Sequence, residues 1–468
     1  MTHQSEFIEV FTAFLRDVVD EHRPDPDEQG ELAKALTEHL GVDARALSAV
    51  TEQLSRAQLV DADIALDLID PAVRVVGYRG RGGGDLGFMD LVNDEHGLVG
   101  LGPVEYVSAA VGPGRDRQVV AAGVRLMTFE GAAVAVLQRV ADHEWGRPSP
   151  TLEIMAEDRG TAGELLVRLR AVMREHSVLR GQVLSFSSDE YGSSLGGVTF
   201  HERPDIPGSA VVLPGESLRR IERHALLMGD YRDELLRAGQ HLKRGILLYG
   251  PPGTGKTHTV RHLLGRSAGT TAILLSGNTL GLVKEATQIA RAMEPAIVVL
   301  EDCDLVAEDR DMVDSPDSML FELLEALDGL DGDADVTFLM TTNRPDLLER
   351  ALSQRPGRID LAVEIPLPDR DARRALFALY AGDLAISREA LDLAADRAEG
   401  VTASFAKELV RRAVLAAAIA RREPGDTDLL EALDELLSDQ DALTRSLLAS
   451  GPRSFEDLDD ESWDDEED

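Results

Sequence analysis

The sequence contains a single cysteine, Cys303, among its 468 residues. One thiol excludes an intramolecular disulfide and a cysteine-based zinc cluster, and it fits a reducing compartment. Basic residues are also scarce, because 48 Lys and Arg face 85 Asp and Glu and leave a formal charge of −37. This balance argues against a protein that wraps nucleic acid, since that affinity comes from Lys and Arg neutralising phosphates. The acidity indicates solubility and self-repulsion as readily as an acidic functional surface.

A targeting segment and long apolar runs are missing as well. Glu6 and Glu9 lie where a signal peptide needs positive charge followed by apolar residues. The most apolar long window, residues 119–140, is interrupted by Arg125 and Glu130. It therefore predicts paired strands, or a strand and a helix, rather than a membrane span. We predict a cytoplasmic protein without membrane or nucleic-acid partners.

The length of the chain and its 43% hydrophobic content predict several globular domains. Residues 1–69 are helical in pattern, with apolar stripes such as Leu32, Leu36 and Leu40. These stripes either pack on their own domain or form an oligomerising or partner-binding surface. Residues 70–205 are rich in strands and glycine, and they predict a mixed α/β module.

The most informative motif is the glycine-rich segment GPPGTGKT at residues 250–257. It follows an apolar run and precedes a helix start, as a phosphate-binding loop requires. Backbone N–H groups in such a loop cradle phosphate oxygens, together with the helix N-terminus. We expect Lys256 to reach the β- and γ-phosphates of a nucleotide and the Thr257 hydroxyl to bind Mg²⁺. The residues predicted to hold the nucleotide are Gly250, Pro251, Pro252, Gly253, Thr254, Gly255, Lys256, Thr257 and His258.

A second motif, IVVLEDCD at residues 297–304, is an apolar strand that ends in three carboxylates. In nucleotide hydrolases such a strand end serves Mg²⁺ and the attacking water, but Asp normally precedes Glu there. Because position in the motif decides the role, we expect Glu301 to serve the Mg²⁺ shell and Asp302 to orient the attacking water. Asp304 is the alternative base, and Cys303 is expected to be a small buried residue.

Polar residues also follow the next apolar stretch, VTFLMTT at residues 336–342. Asn343 is well placed there to orient a water at the γ-phosphate, although the sequence Asn-Arg-Pro-Asp can equally start a helix. Farther along, RPGRID supplies Arg355 and Arg358, three residues apart.

Together with the later segment GVTASFAKELVRRA, these motifs resemble those of AAA-family ATPases of the branch that carries the second region of homology. The resemblance implies a P-loop NTPase fold of the α/β class, a parallel sheet with helices on both faces, over residues 206–368. A C-terminal helical lid over residues 369–437 would follow, with Gly400 and Ser404 where the lid meets the nucleotide. The branch usually lacks an arginine at the start of that lid motif, and none occurs here.

The resemblance also implies roles and assembly. Asn343 would be the sensor, and Arg355 and Arg358 would be arginine fingers that act on the ATP of a neighbouring subunit in a homo-oligomeric ring, usually a hexamer. A finger in trans can contribute roughly 10³ to 10⁵ in rate, so an isolated subunit should be nearly inactive.

Two features depart from the family pattern. The order Glu301-Asp302 is similar to that in the mitochondrial complex III assembly AAA chaperone, but no counterpart of its transmembrane helix is predicted here, so its membrane task is not expected. The loop that grips substrate in threading members contains an aromatic residue, whereas this chain has Leu280-Gly281-Leu282. That segment is either a pore loop or a tight turn into the next helix.

Residues 438–468 form an acidic tail that cannot bury enough surface to fold alone. We predict Mg²⁺-dependent ATP hydrolysis that drives the remodelling or disassembly of a protein partner. The partner would bind through the N-terminal region or the tail. The alternative is an ATP-gated scaffold with slow or no hydrolysis.

Overall fold

The computed structural model describes residues 30–79, 86–94, 99–142, 146–186, 197–304, 333–346 and 359–449. The strands in these ranges are β1 Ala49–Gln53, β2 Arg74–Arg79, β3 Gly100–Gly102, β4 Glu105–Gly112, β5 Arg115–Phe129, β6 Ala132–Arg139, β7 Thr151–Ala156, β8 Val183–Phe186, β9 Val198–His201, β10 Arg244–Tyr249, β11 Thr271–Ser276, β12 Ala296–Glu301, β13 Val336–Thr342 and β14 Leu361–Glu364. The α-helices of five or more residues are α1 Glu31–Leu40, α2 Arg56–Ile69, α3 Phe88–Val92, α4 Arg159–Glu175, α5 Ser217–Glu222, α6 Arg232–Arg237, α7 Lys256–Arg266, α8 Val283–Ala292, α9 Arg370–Ala381, α10 Arg388–Arg397, α11 Ala403–Ile419 and α12 Asp426–Ala449.

These residues form two compact units. Unit one takes the described residues within 30–203, 268–299 and 333–336, and unit two takes those within 204–267, 300–304, 337–346 and 359–449.

Unit one contains an antiparallel sheet in the order β1-β7-β6-β5-β2-β3, with β4 paired to β5. Successive side chains of a strand point to opposite faces, so each face gathers its own core. Val134 and Val136 of β6 pack with α2 and α4, whereas Ala135 and Leu137 pack with α1 and α3. Helices therefore cover both faces of this sheet.

The leucine stripe near the N-terminus belongs to this unit. Leu32, Leu36 and Leu40 of α1 are buried against the sheet, which confirms that the stripe packs on its own domain. Helix α2 starts at a capping box in which Ser55 and Gln58 satisfy each other's backbone N–H groups. Both cores of this unit contain residues from before and after residue 70, where the sequence predicts a domain boundary. That boundary stays a prediction. Residues 1–29 lie outside the described ranges.

Two buried aspartates of α2 have different surroundings. Asp63 accepts a hydrogen bond at 2.5 Å from the guanidinium of Arg125, which is itself only 2% exposed. Asp61 has no cation among its partners in the described residues and instead accepts from the backbone N–H of Val178 and the hydroxyl of Ser177. Burial raises the pKa of Asp61 to about 6, and those two hydrogen bonds only partly oppose the rise.

The second sheet has the order β14-β10-β13-β12-β11-β8-β9. Strand β10 pairs in parallel with β13 and β14, β11 pairs in parallel with β8, and β9 runs antiparallel to β8. Parallel strands need crossover connections, and helices lie on both sides of the sheet. The predicted P-loop NTPase class is therefore confirmed. The glycine-rich loop, the acid pair and Asn343 all follow carboxyl ends of these strands, where open α/β sheets bind ligands.

Unit two ends in a helical bundle, α9 to α12. Its core includes Phe377, Leu409 and Leu433. The side chains that cap the first turns of α9, α10 and α11 are Asp369, Ser387 and Thr402. Helix α12 continues to Ala449, past the predicted lid boundary at residue 437, and residues 450–468 lie outside the described ranges. Within those ranges, no helix combines the length and the apolar composition that a bilayer span requires.

Candidate active site

The glycine-rich loop joins β10 to α7 through backbone that favours glycine. Gly250, Gly253 and Gly255 have φ values of 146°, 76° and 109°. A Cβ on Gly250 would lie 2.2 Å from the carbonyl oxygen of Ile365, so this position has no room for a side chain. The loop therefore depends on glycine for both its conformation and its close packing.

Lys256 begins α7 and is only 6% exposed. Its Nζ donates hydrogen bonds of 2.8 Å to the carbonyl oxygens of Gly250 and Pro251. Burial lowers the pKa of Lys256, whereas the charges of Asp302 and Asp304 raise it. The lysine thus closes the loop around itself and places a buried cation at its centre.

The acid pair divides between two positions. Glu301 ends β12, and its carboxylate accepts a hydrogen bond from the hydroxyl of Thr257. Burial raises the pKa of Glu301, the Thr257 hydrogen bond lowers it, and the charge of Asp302 raises it again. Asp302 leaves the strand with a left-handed φ of 51°, and its N–H donates at 3.0 Å to the Thr341 hydroxyl. Glu301 therefore faces the loop threonine, while Asp302 lines the cleft described below.

Cys303 is buried, as predicted, and burial raises the pKa of its thiol to about 12. Its N–H donates at 3.0 Å to the carbonyl oxygen of Thr341. The turn after β12 is thereby attached to the end of β13, which brings Asp302 and Asn343 to one edge of the sheet.

The cleft at this edge has a volume of about 460 Å³. The residues that line it are Gly253, Gly255, Lys256, Thr257, His258, Arg261, Asp302, Asn343, Tyr380, Ala403, Ser404, Lys407, Glu408 and Arg411. The structure thus joins most of the predicted phosphate-binding residues with Asp302 and Asn343 in one space. Of the remaining predicted residues, Thr254 is buried within the loop and hydrogen-bonds Pro251, whereas Pro251 and Pro252 are exposed. Arg355 and Arg358 lie outside the described ranges.

One wall of the cleft, the lid wall, is formed by helix α11, and among its lining residues only Ser404 was predicted from the sequence. Helix α11 lies against the loop, where the N–H of Ser404 donates at 3.1 Å to the carbonyl oxygen of Gly253. Farther along this helix, Glu408 is held by Arg411 and Arg412, which lower its pKa to about 2. The sequence signal that could have identified this wall is the spacing of Ser404, Glu408 and Arg411 on one helix face.

Tyr380 supplies an aromatic surface from α9. Its side chain is half-buried, and burial raises the pKa of its hydroxyl. A ring in this position can stack against the base of a nucleotide. The helical pattern around it gave no sign that the ring lines the cleft, because an aromatic residue on an amphipathic helix is usually part of the core, against which Tyr380 also packs.

His258 lines the cleft but also holds the preceding chain. Its Nε2 lies 3.1 Å from the carbonyl oxygen of Ala210. One turn later, the fully buried His262 has Nδ1 2.7 Å from the carbonyl oxygen of Ile206 and Nε2 2.9 Å from Oε1 of Glu222. Two histidines of α7 therefore attach residues 206–222 to the helix that follows the glycine-rich loop.

The segment Leu280-Gly281-Leu282 belongs to a 3₁₀ helix, Gly277–Leu282, that leads directly into α8. Leu280 is 4% exposed and Leu282 is 36% exposed. This backbone is that of a tight turn into a helix, one of the two alternatives from the sequence. Of the two leucines, Leu282 is the one whose side chain is exposed to solvent.

The donor set fits Mg²⁺ held partly by phosphates. Among the described residues there is no group of three or more His, Cys, Asp or Glu that could hold a metal ion alone. A hydroxyl from Thr257 beside a carboxylate from Glu301 suits an ion that keeps several waters and binds through one or two protein oxygens plus substrate phosphates.

Residues 246–367 match the family model "ATPase family associated with various cellular activities (AAA)". These residues are therefore similar to an AAA ATPase domain. The ATP-dependent zinc metalloprotease FtsH 2 of Sphaerobacter thermophilus is 35% identical over 215 residues, which cover 43% of this chain and 33% of the relative. The proteasome-activating nucleotidase of Methanothermobacter thermautotrophicus is 28% identical over 256 residues, which cover 52% of this chain and 62% of the relative.

A third relative is the 26S proteasome regulatory subunit 10B homolog A of Arabidopsis thaliana. It is 34% identical over 203 residues, which cover 40% of this chain and 50% of the relative. The chain thus spans about half the length of the curated relatives it matches.

Proposed function

We propose that this protein hydrolyses Mg·ATP to ADP and phosphate. The observation that carries the proposal is a single cleft lined by Lys256, Thr257, Asp302 and Asn343. These residues supply a phosphate cradle, a metal ligand, a carboxylate and a polar amide, which are the recurring parts of P-loop hydrolases. The AAA domain and its similarity to an ATP-dependent protease and a nucleotidase agree with this activity.

Lys256 and the loop N–H groups bind the phosphates, and Thr257 with Glu301 would hold Mg²⁺. When bound, Mg²⁺ supplies positive charge to the phosphate oxygens and stabilises the charge that develops on them. Asp302 accepts a proton from the water whose oxygen attacks the γ-phosphorus. The bond from that phosphorus to the bridging oxygen breaks, and ADP leaves with the electron pair.

The reversed order of the acid pair is compatible with these roles. Glu301 accepts from Thr257, which is the partner that a metal-shell carboxylate should have, and Asp302 lines the cleft instead. The longer side chain therefore serves the metal and the shorter one serves the water. The pair keeps the charge of the usual order and roughly its combined reach.

The assembly that we propose is a homo-oligomeric ring, a hexamer, in which Arg355 and Arg358 complete the ATP site of a neighbour. Hydrolysis would remodel a protein partner in the cytoplasm. The partner would bind through the N-terminal unit or the acidic tail. Two of the relatives are by name a proteasome-activating nucleotidase and a proteasome regulatory subunit, which favours work on proteins over work on nucleic acid.

Substitution of the acid pair tests the proposal. Asp302→Asn should bind Mg·ATP with unchanged affinity and release phosphate at least 10²-fold more slowly, because the base is lost. Glu301→Gln should raise the Mg²⁺ concentration needed for half-maximal turnover. Asp396→Asn, which removes an exposed partner of Arg370 on the lid, is the matched control and should change neither quantity.

Phosphate release and nucleotide affinity are measured on the full chain at several Mg²⁺ concentrations. Wild-type protein that binds ATP and assembles without releasing phosphate would refute hydrolysis and leave the ATP-gated scaffold as the function.

A further inference from the structure

Asp304 is a buried carboxylate that the proposed reaction does not use. It lies two residues after Asp302, is 7% exposed and is not among the residues that line the cleft. Charge at such depth is costly unless hydrogen bonds satisfy it. The partners of Asp304 are therefore informative about its role.

Three donors meet this carboxylate, and all come from the end of β13. Oδ1 accepts from the Thr342 hydroxyl and from the N–H of Asn343, both at 3.0 Å. Oδ2 accepts from the side-chain Nδ2 of Asn343 at 3.3 Å. An ionised carboxylate has about four lone-pair sites, so three of them are engaged here.

A hydrogen bond from Arg344 fixes the direction of the bond between Thr342 and Asp304. The N–H of Arg344 donates at 2.9 Å to the Thr342 oxygen. The Thr342 hydroxyl therefore accepts from Arg344 and turns its own proton toward Asp304. Since an ionised carboxylate only accepts, Asn343 must present Nδ2 to it, which leaves the amide oxygen Oδ1 as the acceptor that Asn343 offers to the cleft.

We infer that Asp304 is a positioning residue that sets the amide orientation of Asn343 so that Oδ1 accepts a hydrogen bond from the attacking water. This inference rests on the proposed ATP hydrolysis. Asp304 has three of its roughly four lone-pair sites committed to Thr342 and Asn343 and does not take the proton of the water. That role stays with Asp302, which lines the cleft where Asp304 does not.

A double-mutant cycle separates action through Asn343 from direct action. Misplacing a reacting group by about 1 Å can cost about 10²-fold, so Asn343→Ala should lower kcat by about that factor and leave the Kd for Mg·ATP unchanged. Asp304→Asn replaces an acceptor by a donor that faces Nδ2, and it should lower kcat about tenfold or more at unchanged Kd.

The double variant should be no slower than Asn343→Ala, because in that variant Asp304 has no amide left to orient. Effects of the two substitutions that multiply in the double variant would show that Asp304 acts directly on the reaction, and the inference would be wrong.

A matched pair of threonines keeps the test valid if Asp304→Asn fails to fold. Both threonines lie on β13. Thr342→Val removes a donor to Asp304, whereas Thr337→Val removes a buried hydroxyl that has no hydrogen-bond partner. Thr342→Val should lower kcat several-fold at unchanged Kd, and Thr337→Val should not. Equal kcat values for the two valine variants would overturn the inference.

The two levels of proposal fail separately. A wild-type protein without phosphate release refutes the proposed function and, with it, a role in positioning the water. If the wild-type protein hydrolyses ATP and the effects of Asp304→Asn and Asn343→Ala on kcat multiply, only the role of Asp304 is refuted.

Discussion

Replacing Asp61 by Asn should stabilise unit one at neutral pH. The free aspartate side chain titrates at 3.8 and the buried one at about 6. One pKa unit corresponds to about 1.4 kcal/mol, so ionised Asp61 costs the folded unit about 3 kcal/mol. The amide of Asn can still accept from the Val178 N–H and can donate to the Ser177 hydroxyl. We therefore expect a gain of about 1–3 kcal/mol above pH 6.

The pH dependence follows from the sign of the shift. The folded-state pKa is raised, so the contribution of Asp61 is fully favourable below pH 3.8, where both states are protonated. It decreases as pH rises, because the unfolded state ionises first, and it is lost once pH exceeds about 6. The Asn variant lacks this dependence, so its advantage should be small at pH 4 and largest at pH 7.

Hydrogen–deuterium exchange of peptides from α2 and β7 measures this difference at matched pH, where intrinsic exchange rates cancel. At pH 7 the Asn variant should be protected about five- to hundredfold more strongly. The control is Asp63→Asn two residues away, which leaves the buried Arg125 with a weaker partner and should reduce protection. Equal effects of Asp61→Asn at pH 4 and pH 7, or reduced protection at pH 7, would refute the reasoning.

Two further predictions concern the ATP site. Gly250→Ala should weaken Mg·ATP binding at least tenfold in a calorimetric titration, since its Cβ would meet the Ile365 oxygen at 2.2 Å. Gly281→Ala, which meets nothing within 4 Å, is the control and should bind normally. Arg358→Ala should bind ATP normally and hydrolyse it roughly 10³-fold more slowly, and mixing it with Lys256→Ala subunits should restore some phosphate release. A monomer that hydrolyses ATP at full rate, as measured by sizing and phosphate release, would contradict the arginine-finger prediction.

The core of the site was predictable because the chemistry is local. The loop at residues 250–257 carries its own geometry in its glycines, and the rule for parallel strands places Asp302 and Asn343 at one edge. Tyr380 was not predictable, because its place in the cleft depends on how a helix of the bundle packs. The sequence leaves Asp304 as the alternative base, because a sequence shows a carboxylate but not the donors around it. The sequence leaves Leu280 as either a pore residue or part of a turn, because six residues of a 3₁₀ turn carry no periodic signal of burial.

The left-handed backbone at Asp302 limits how the acid pair can evolve. Asparagine and aspartate tolerate a φ of 51° better than most residues, because their short polar side chains can hydrogen-bond locally. A longer glutamate at residue 302 would face a conformational cost of about 1 kcal/mol in the same turn. Exchanging the two acids to the common order would therefore not simply revert the motif. A protein with the two acids exchanged would have to bear this cost or change the backbone of the turn.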